Sequence, residues 1–292
     1  MPYAKAKDGT QLYYKDWGKG RPVVLIHGWP LTGDTFDDLA LALADRGFRS
    51  IIPDRRGFGR SDQPWDGYDY DTFEDDIAAI LEDAAIAEPV SLVGFSMGGG
   101  EVARFLTKQG KQRVSAAVLI GSIVPYMAQT DDNPSGVPQS IFDEMTAGIR
   151  KDRAGFMHGF AKDFFGVGWM ASPVSNAVLA DFERQAAMAG LRPTLAAAQA
   201  FATTDFRPDL KSFDGVPTLV IHGTSDRTVP IDATGRVVAE VPGARLIEYD
   251  GSAHGLFASD KERLIADVCE FLEAKVGSAA DSRSAIPMPQ ES

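Results

Sequence analysis

The sequence contains a single cysteine, so no disulfide can form within the chain. Cys269 lies in an apolar helical pattern with Val268 and Leu272, which is typical of a core thiol and not of a nucleophile. No apolar run approaches the length that crosses a bilayer, and the first residues do not resemble a signal peptide. We therefore expect a cytoplasmic protein with no membrane partner.

Positive charge is also scarce. Lysine and arginine total 29 against 41 aspartates and glutamates, which gives a formal net charge of -12. This balance argues against nucleic acid and anionic lipid as partners, and it is compatible with a neutral small-molecule substrate. The four histidines lack metal-ligand spacing, and no dinucleotide fingerprint opens a helix. The sequence therefore predicts neither a metal nor another cofactor.

The chain does contain a glycine-rich turn with a serine at its tip. Residues 94–98 read GFSMG and match G-x-S-x-G, the nucleophile elbow between a strand and a helix. Such a sharp turn leaves no room for side chains two residues before or after Ser96, and the helix that follows favours a negative oxygen there. A turn without function stays open as an alternative. A phosphate site is disfavoured, because Glu101 follows the last glycine where a P-loop needs lysine.

Strand-like and helical segments alternate along most of the chain. A hairpin is predicted over residues 3–17. Further strands are predicted at 22–26, 48–53, 90–95, 116–121, 218–222 and 245–249, and helices at 34–46, 71–87, 98–109, 232–240 and 261–275. This alternation predicts an α/β fold with a mostly parallel eight-stranded sheet and helices on both faces. Residues that follow the strands then gather at the carboxyl edge of the sheet, where active sites lie.

Regular alternation stops between residues 123 and 210, which are rich in phenylalanine. We expect this segment to be a helical cap over the carboxyl edge, with residues 1–122 and 211–276 forming the core. Residues 277–292 are small and polar and are predicted to be a disordered or loosely attached tail. One face of a cap borders the cleft beneath it, so part of the apolar set should line a pocket. The predicted pocket residues are Pro30, Ile123, Met127, Phe142, Phe160, Phe164, Phe201 and Thr228.

A serine hydroxyl becomes a nucleophile when a base takes its proton and an acid orients that base. His254 lies in a small-residue loop after the last predicted strand and is the predicted base, with an unused surface histidine as the alternative. His222 ends a strand, where a structural hydrogen bond is expected. Asp226 follows that strand and is the predicted acid, because the other acid position, after strand 116–121, holds no carboxylate.

An oxyanion needs two aimed N–H donors, and the backbone amides of Trp29 and Met97 are the candidates. Pro30 fixes its own φ and restricts Trp29 to extended conformations. We hypothesise that Pro30 thereby directs the Trp29 carbonyl so that it favours peroxide over water. Rigidifying the turn is the alternative role of Pro30.

Together these motifs resemble the cofactor-free haloperoxidase, aryl esterase and perhydrolase family of α/β-hydrolases. The resemblance covers about residues 3–275. It rests on HGWP at 27–30, DRRGFGRSDQP at 54–64, GFSMGGG at 94–100, TDFRPD at 204–209 and HG at 254–255. It implies an α/β-hydrolase fold with Ser96 as nucleophile, His254 as base and Asp226 as acid. It also implies Trp29 and Met97 as the oxyanion pair and no cofactor.

The resemblance further implies hydrolysis of small carboxylic esters through an acyl-enzyme. It implies peracid formation from acids or esters and hydrogen peroxide, followed by halide oxidation, and assembly into trimers or larger rings. A lactam or amide hydrolase using the same triad is one alternative, and a ligand receptor without catalysis is another. Haloalkane dehalogenases and epoxide hydrolases are excluded, because their elbow needs a carboxylate where this chain has Ser96.

Overall fold

An eight-stranded sheet forms the centre of the computed structural model, which describes residues 2–168 and 172–281, with side chains described as far as residue 274. The strands are β1 (Tyr3–Lys5), β2 (Gln11–Gly18), β3 (Arg21–Ile26), β4 (Phe48–Pro53), β5 (Val90–Phe95), β6 (Val114–Ile120), β7 (Thr218–Gly223) and β8 (Ala244–Tyr249). Their order in the sheet is β1-β2-β4-β3-β5-β6-β7-β8. The pairs β1–β2 and β2–β4 are antiparallel and the others are parallel, which confirms the predicted sheet.

Helices cover both faces of this sheet. They are α1 (Asp37–Ala44), α2 (Tyr70–Asp83), α3 (Gly98–Gln109), α4 (Gln139–Lys151), α5 (Arg153–Phe164), α6 (Asn176–Ala187), α7 (Leu191–Thr203), α8 (Gly235–Val238), α9 (Leu256–Ser259) and α10 (Lys261–Asp281). Right-handed crossovers in opposite directions along the sheet place α1 on the face opposite α2 and α3. Consistent with this, α1 packs against α10 while α2 packs against α3.

The strand at the centre explains why the elbow is rigid. All six residues of β5 are buried, as expected for a parallel strand with helices on both faces. β5 pairs with β3 on one side and β6 on the other. The loops that follow these three strands therefore meet at one point of the carboxyl edge.

Helices α4 to α7 lie between β6 and β7, within the segment predicted as a cap. α4 packs against α5 and α7, and α5 packs against α6. The exact boundaries of cap and core stay predictions.

Four predicted helices differ in length from the structure. The helix predicted over 34–46 is the 3-10 turn Gly33–Phe36 followed by α1, which ends at Ala44. The helix predicted over 71–87 ends at Asp83, and Ala85 has a positive φ of 55° that an α-helix does not allow. The helix predicted over 232–240 is the single turn α8, because Thr234 has a non-helical backbone. α10 continues to Asp281, so residues 277–281 of the predicted tail are helical, and residues 282–292 lie outside the described residues. None of the helices described in residues 2–168 and 172–281 combines the length and apolar character that crossing a membrane requires.

Candidate active site

Ser96 lies in the tight turn between β5 and α3. Its φ is +53°, a strained value for a residue with a side chain, and its N–H donates to the Ile120 carbonyl at 2.8 Å. A Cβ built on Gly94 would lie 2.6 Å from the Gly98 carbonyl oxygen, and one on Gly98 would overlap the Ile26 carbonyl oxygen. The predicted lack of room on both sides of the serine is therefore confirmed.

The amide groups around the elbow leave room for an anion. α3 begins directly after Met97, and no side chain caps this helix end. Within residues 2–168 and 172–281, the backbone amides of Trp29 and Met97 donate to no acceptor. Two unused N–H groups beside a helix N-terminus can stabilise a negative oxygen. This agrees with the oxyanion role predicted for the two residues, which stays a proposal.

The structure brings the three predicted triad residues together. His254 Nε2 lies 2.9 Å from Ser96 Oγ, and His254 Nδ1 lies 2.6 Å from Asp226 Oδ2. Asp226 Oδ1 accepts the N–H groups of Thr228 at 2.9 Å and Val229 at 2.8 Å. A carboxylate that accepts from Nδ1–H leaves Nε2 unprotonated, so His254 is oriented to take the proton of the serine hydroxyl.

Asp226 is held as an anion although it is buried. Burial alone raises the pKa of this carboxyl group, but electrostatic attraction to His254 and hydrogen bonds from His222 and His254 outweigh burial. The pKa of Asp226 therefore lies well below its ordinary value of 3.8. The end of β6 also reaches this place, since a Cβ on Gly121 would lie 3.2 Å from His254 Nδ1, but it supplies no carboxylate.

Two aromatic rings hold the imidazole of His254. Phe95 lies 5.0 Å from it, and Phe164 meets it edge-on at 4.8 Å. The Gly255 N–H also donates to the Phe164 carbonyl at 2.9 Å, which ties the end of α5 to the histidine loop. The prediction that Phe164 lines the pocket is therefore wrong, because its ring packs against the triad and away from the cavity.

The loop of residues 27–30, which we call the oxyanion loop, is supported by a buried ion pair that the sequence did not indicate. The backbone N–H of Arg55 donates to His27 Nε2 at 2.9 Å, and its guanidinium donates to the His27 carbonyl at 2.6 Å and to the Glu101 carboxylate. Burial and the charge of Arg55 lower the pKa of His27, so its imidazole stays neutral. Burial raises the pKa of Glu101 while Arg55 opposes the rise. No local pattern links Arg55 to a glutamate 46 residues away.

A cavity of ≈ 600 Å³ opens above Ser96. Six predicted residues line it: Ile123, Met127, Phe142, Phe160, Phe201 and Thr228. The prediction for Pro30 is wrong, since Pro30 is buried within the oxyanion loop and does not border the cavity. Sequence reasoning missed eight lining residues: Val137, Ile141, Glu144, Met145, Phe156, Asp163, Arg227 and Val229. Helical spacing was a usable signal for Phe156, which precedes Phe160 by one turn.

Hydrogen bonds and ring contacts connect the cap to the oxyanion loop and the residues that follow it. The indole N–H of Trp29 donates to the Thr194 carbonyl at 3.0 Å, and its ring meets Phe160 and Phe201 edge-on at 5.6 and 5.7 Å. The buried amide oxygen of Gln185 accepts from the N–H of Thr32 at 3.2 Å and from its hydroxyl at 3.1 Å. Movement of the cap therefore transmits to the loop that carries the Trp29 amide.

Two other histidines, His158 and His27, lie apart from the triad. His158 is exposed on α5 and contacts Glu183 at 2.8 Å, and His27 is the buried support of the oxyanion loop. In the described ranges, no group of three or more histidine, cysteine, aspartate or glutamate side chains is arranged to hold a metal ion.

Comparison with known proteins agrees with the fold described above. Residues 21–261 match the model of a family described as alpha/beta hydrolase fold. The chain is 45% identical to a non-heme chloroperoxidase of Kitasatospora aureofaciens over 93% of this chain and 99% of the relative. It is 38% identical to a bifunctional esterase/perhydrolase of Acinetobacter calcoaceticus over 94% of this chain and the whole relative.

Among solved structures, a bromoperoxidase from Bacillus anthracis superposes with a TM-score of 0.89. The two sequences are 40% identical, and the match covers 93% of this chain and 99% of that one. The family model covers most of the chain, and several relatives exceed one-third identity over nearly their full length. The chain belongs to the α/β hydrolase family.

Proposed function

We propose that this protein is a serine esterase of small carboxylic esters and acts as a perhydrolase when hydrogen peroxide replaces water. One observation carries the proposal: a continuous hydrogen-bonded line runs from Ser96 Oγ through His254 to Asp226 at the floor of an apolar cavity. The relatives named as haloperoxidases and as an esterase/perhydrolase support the same reading.

In the first half of the reaction, Ser96 Oγ attacks the ester carbonyl carbon while His254 Nε2 takes the hydroxyl proton. The oxygen of the tetrahedral intermediate accepts hydrogen bonds from the amides of Trp29 and Met97. The C–O bond to the alcohol then breaks, and His254 returns the proton to the departing alkoxide. An acyl group remains on Ser96.

In the second half, water or hydrogen peroxide attacks the acyl carbon, and His254 again takes and returns one proton. Water releases the carboxylic acid, and peroxide releases the peracid. A free peracid then transfers one oxygen atom to a halide ion and becomes the carboxylic acid. This route requires no redox group in the protein.

The cavity indicates which part of the substrate the protein recognises. Its walls are mainly aromatic and aliphatic, and its volume lies in the range of small-ligand pockets. We infer esters whose acyl or alcohol group is apolar. The core of residues 1–122 and 211–276, the cap of residues 123–210, a trimer or larger ring and a cytoplasmic location complete the proposal.

The test uses chromogenic esters with and without peroxide, together with covalent labelling by an organophosphonate. Ser96→Ala should abolish labelling and lower ester turnover by roughly 10⁴- to 10⁶-fold. Ser91→Ala is the matched control, because Ser91 is buried on the same strand and its hydroxyl bonds to Ser115 instead. Equal turnover by wild type and Ser96→Ala would reject the function.

The peroxide half of the proposal has its own test. Bromination of a dye should require both peroxide and an ester or carboxylic acid, and it should survive dialysis against a chelator. Bromination without any carboxyl compound would reject the peracid route while leaving the esterase intact.

A further inference from the structure

A second buried histidine lies behind Asp226. His222 is fully buried near the end of β7. Its Nε2 lies 3.0 Å from the Val229 carbonyl oxygen and 3.4 Å from Asp226 Oδ2. Both neighbours are acceptors, so Nε2 carries the proton and donates.

The other edge of the same ring decides which nitrogen carries the proton. Nδ1 of His222 has no hydrogen-bond partner among the described residues. Gly235 packs against this edge so closely that a Cβ there would lie 2.8 Å from Nδ1. A proton on Nδ1 would be a buried donor without an acceptor, which is unfavourable. In its neutral form, the His222 ring therefore carries its proton on Nε2.

The groups that His222 contacts belong to the turn that orients the triad. In this turn, the amides of Thr228 and Val229 hold Asp226 Oδ1 at 2.9 and 2.8 Å. The second oxygen, Oδ2, accepts from His254 Nδ1 at 2.6 Å. His222 thus bonds to the carbonyl of this turn and faces the carboxylate oxygen that orients His254.

We propose that His222 is a positioning residue for Asp226, an inference that rests on the proposed function of the triad. It ties the turn of residues 226–229 to β7 and adds a donor to the oxygen that His254 uses. A neutral donor suits this task, because it leaves the negative charge of Asp226 available to stabilise the imidazolium of His254. His222 does not border the cavity, so it acts through Asp226 and does not touch substrate.

Two variants separate the donor from the bulk of the side chain. The amide N–H of glutamine in His222→Gln can reach about the position of Nε2, whereas His222→Leu fills similar space without a donor. We expect His222→Leu to lower kcat about tenfold with unchanged KM, and His222→Gln to stay within about threefold of wild type. A loss confined to KM, or equal losses in both variants, would overturn the proposal.

A double-mutant cycle tests whether His222 acts through Asp226. In an Asp226→Asn background, His222→Leu should lower kcat by less than about twofold, because residues that share one partner are not additive. A tenfold further loss in that background would overturn the proposal.

NMR spectroscopy of the ¹⁵N-labelled histidine side chains provides a test that does not depend on catalytic activity. In the wild-type protein, the neutral His222 ring should show a protonated Nε2 and a bare Nδ1. The low-field proton of His254 Nδ1 should shift in His222→Leu and stay in place in His222→Gln. A protonated Nδ1 on His222, or an unmoved His254 signal, would overturn the proposal. These spectra are independent of the substrate, so they stand apart from a failure of the esterase assay.

Discussion

On the sheet side of the cleft, Ser96, His254 and Asp226 lie in loops at the carboxyl ends of strands and are joined by short hydrogen bonds. On the cap side, α4, α5 and α7 border the cavity mainly with phenylalanine and methionine side chains. Hydrogen bonds depend steeply on distance and angle, whereas apolar contacts tolerate changes of shape. The sheet side therefore suits chemistry, and the cap side suits recognition.

Trp29 and Phe164 connect the two sides. Trp29 offers its backbone amide to the sheet side while its indole bonds to Thr194 of the cap. Phe164 belongs to the cap, yet its ring supports His254. Substitutions on the sheet side are therefore expected to lower activity on every ester. Substitutions on the cap side should lower activity only on some esters.

The largest effect is expected from His254→Ala, which removes the proposed base. Turnover of a chromogenic ester should fall by about 10⁴-fold or more, because triad residues act as a unit. Steady-state kinetics measure this, and His158→Ala on the exposed face of α5 is the control, expected to match wild type. Near-normal activity of His254→Ala, together with complete loss in His222→Ala, would show that the wrong histidine has been assigned as base.

A smaller loss is expected from Gly28→Ala, which pushes the oxyanion loop. The added Cβ would lie 2.8 Å from the Phe95 ring and 2.9 Å from Ser96 Cβ, so the loop must shift. We expect kcat to fall by about 10²-fold, the usual cost of misplacing one oxyanion donor. Gly159→Ala on α5 is the matched control, since a Cβ there meets open space. Equal kcat values for the two variants would contradict the role of the loop.

On the cap side, Phe160→Ala should change selectivity and not chemistry. Its ring borders the cavity and contacts Trp29, so a bulky apolar ester loses contact area. We expect KM for such an ester to rise about tenfold while kcat for an acetate ester changes little. Trp65→Ala, an exposed aromatic outside the cavity, is the control. An equal fall of kcat on all esters would show that Phe160 contributes to the chemistry and not to substrate recognition.

The smallest effect concerns pH and stability. The pKa of Asp226 is below its ordinary value of 3.8 in the folded protein, so its charge stabilises the fold above that pH. This contribution is lost progressively as the pH falls below 3.8 toward the lowered pKa of the folded state. The difference in unfolding free energy between wild type and Asp226→Asn should therefore shrink in acid, as denaturant titrations can measure.

The difference in unfolding free energy between wild type and Phe160→Ala should not depend on pH, because this substitution removes no charge. A constant difference for Asp226→Asn down to strong acid would contradict the lowered pKa of Asp226.

Much of the sheet side was predictable from sequence. Apolar runs that end in small or polar residues locate the strands, and parallel strands bring their carboxyl ends to one edge. This logic placed Ser96, Asp226 and His254 in loops that the structure brings together. Their catalytic roles stay proposals until the variants are measured. The same logic missed Arg55 and Glu101, whose ion pair joins distant segments inside the core.

The cap side was less predictable. Phe160 and Phe164 are one turn apart on α5, and both were expected in the pocket. In the structure, Phe160 borders the cavity and Phe164 packs against His254, because α5 runs from the cleft to the histidine loop. Composition identifies an apolar cap, but the angle at which a helix packs decides which of its rings meets which neighbour.

The sequence by itself determined the turn at the elbow, since the crowding at Gly94 comes from Gly98 and Gly99, only a few positions along the chain. The crowding at Gly98 comes from Ile26 and His27 at the end of the neighbouring strand, so it depends on the tertiary structure. The sequence also determined the order of strands and helices through local periodicity. Only the tertiary structure decided that Phe164 packs against His254, that Arg55 supports His27, and that Gln185 holds Thr32. Local backbone conformation depends on near neighbours in the chain, whereas each of these contacts depends on how separate segments pack together.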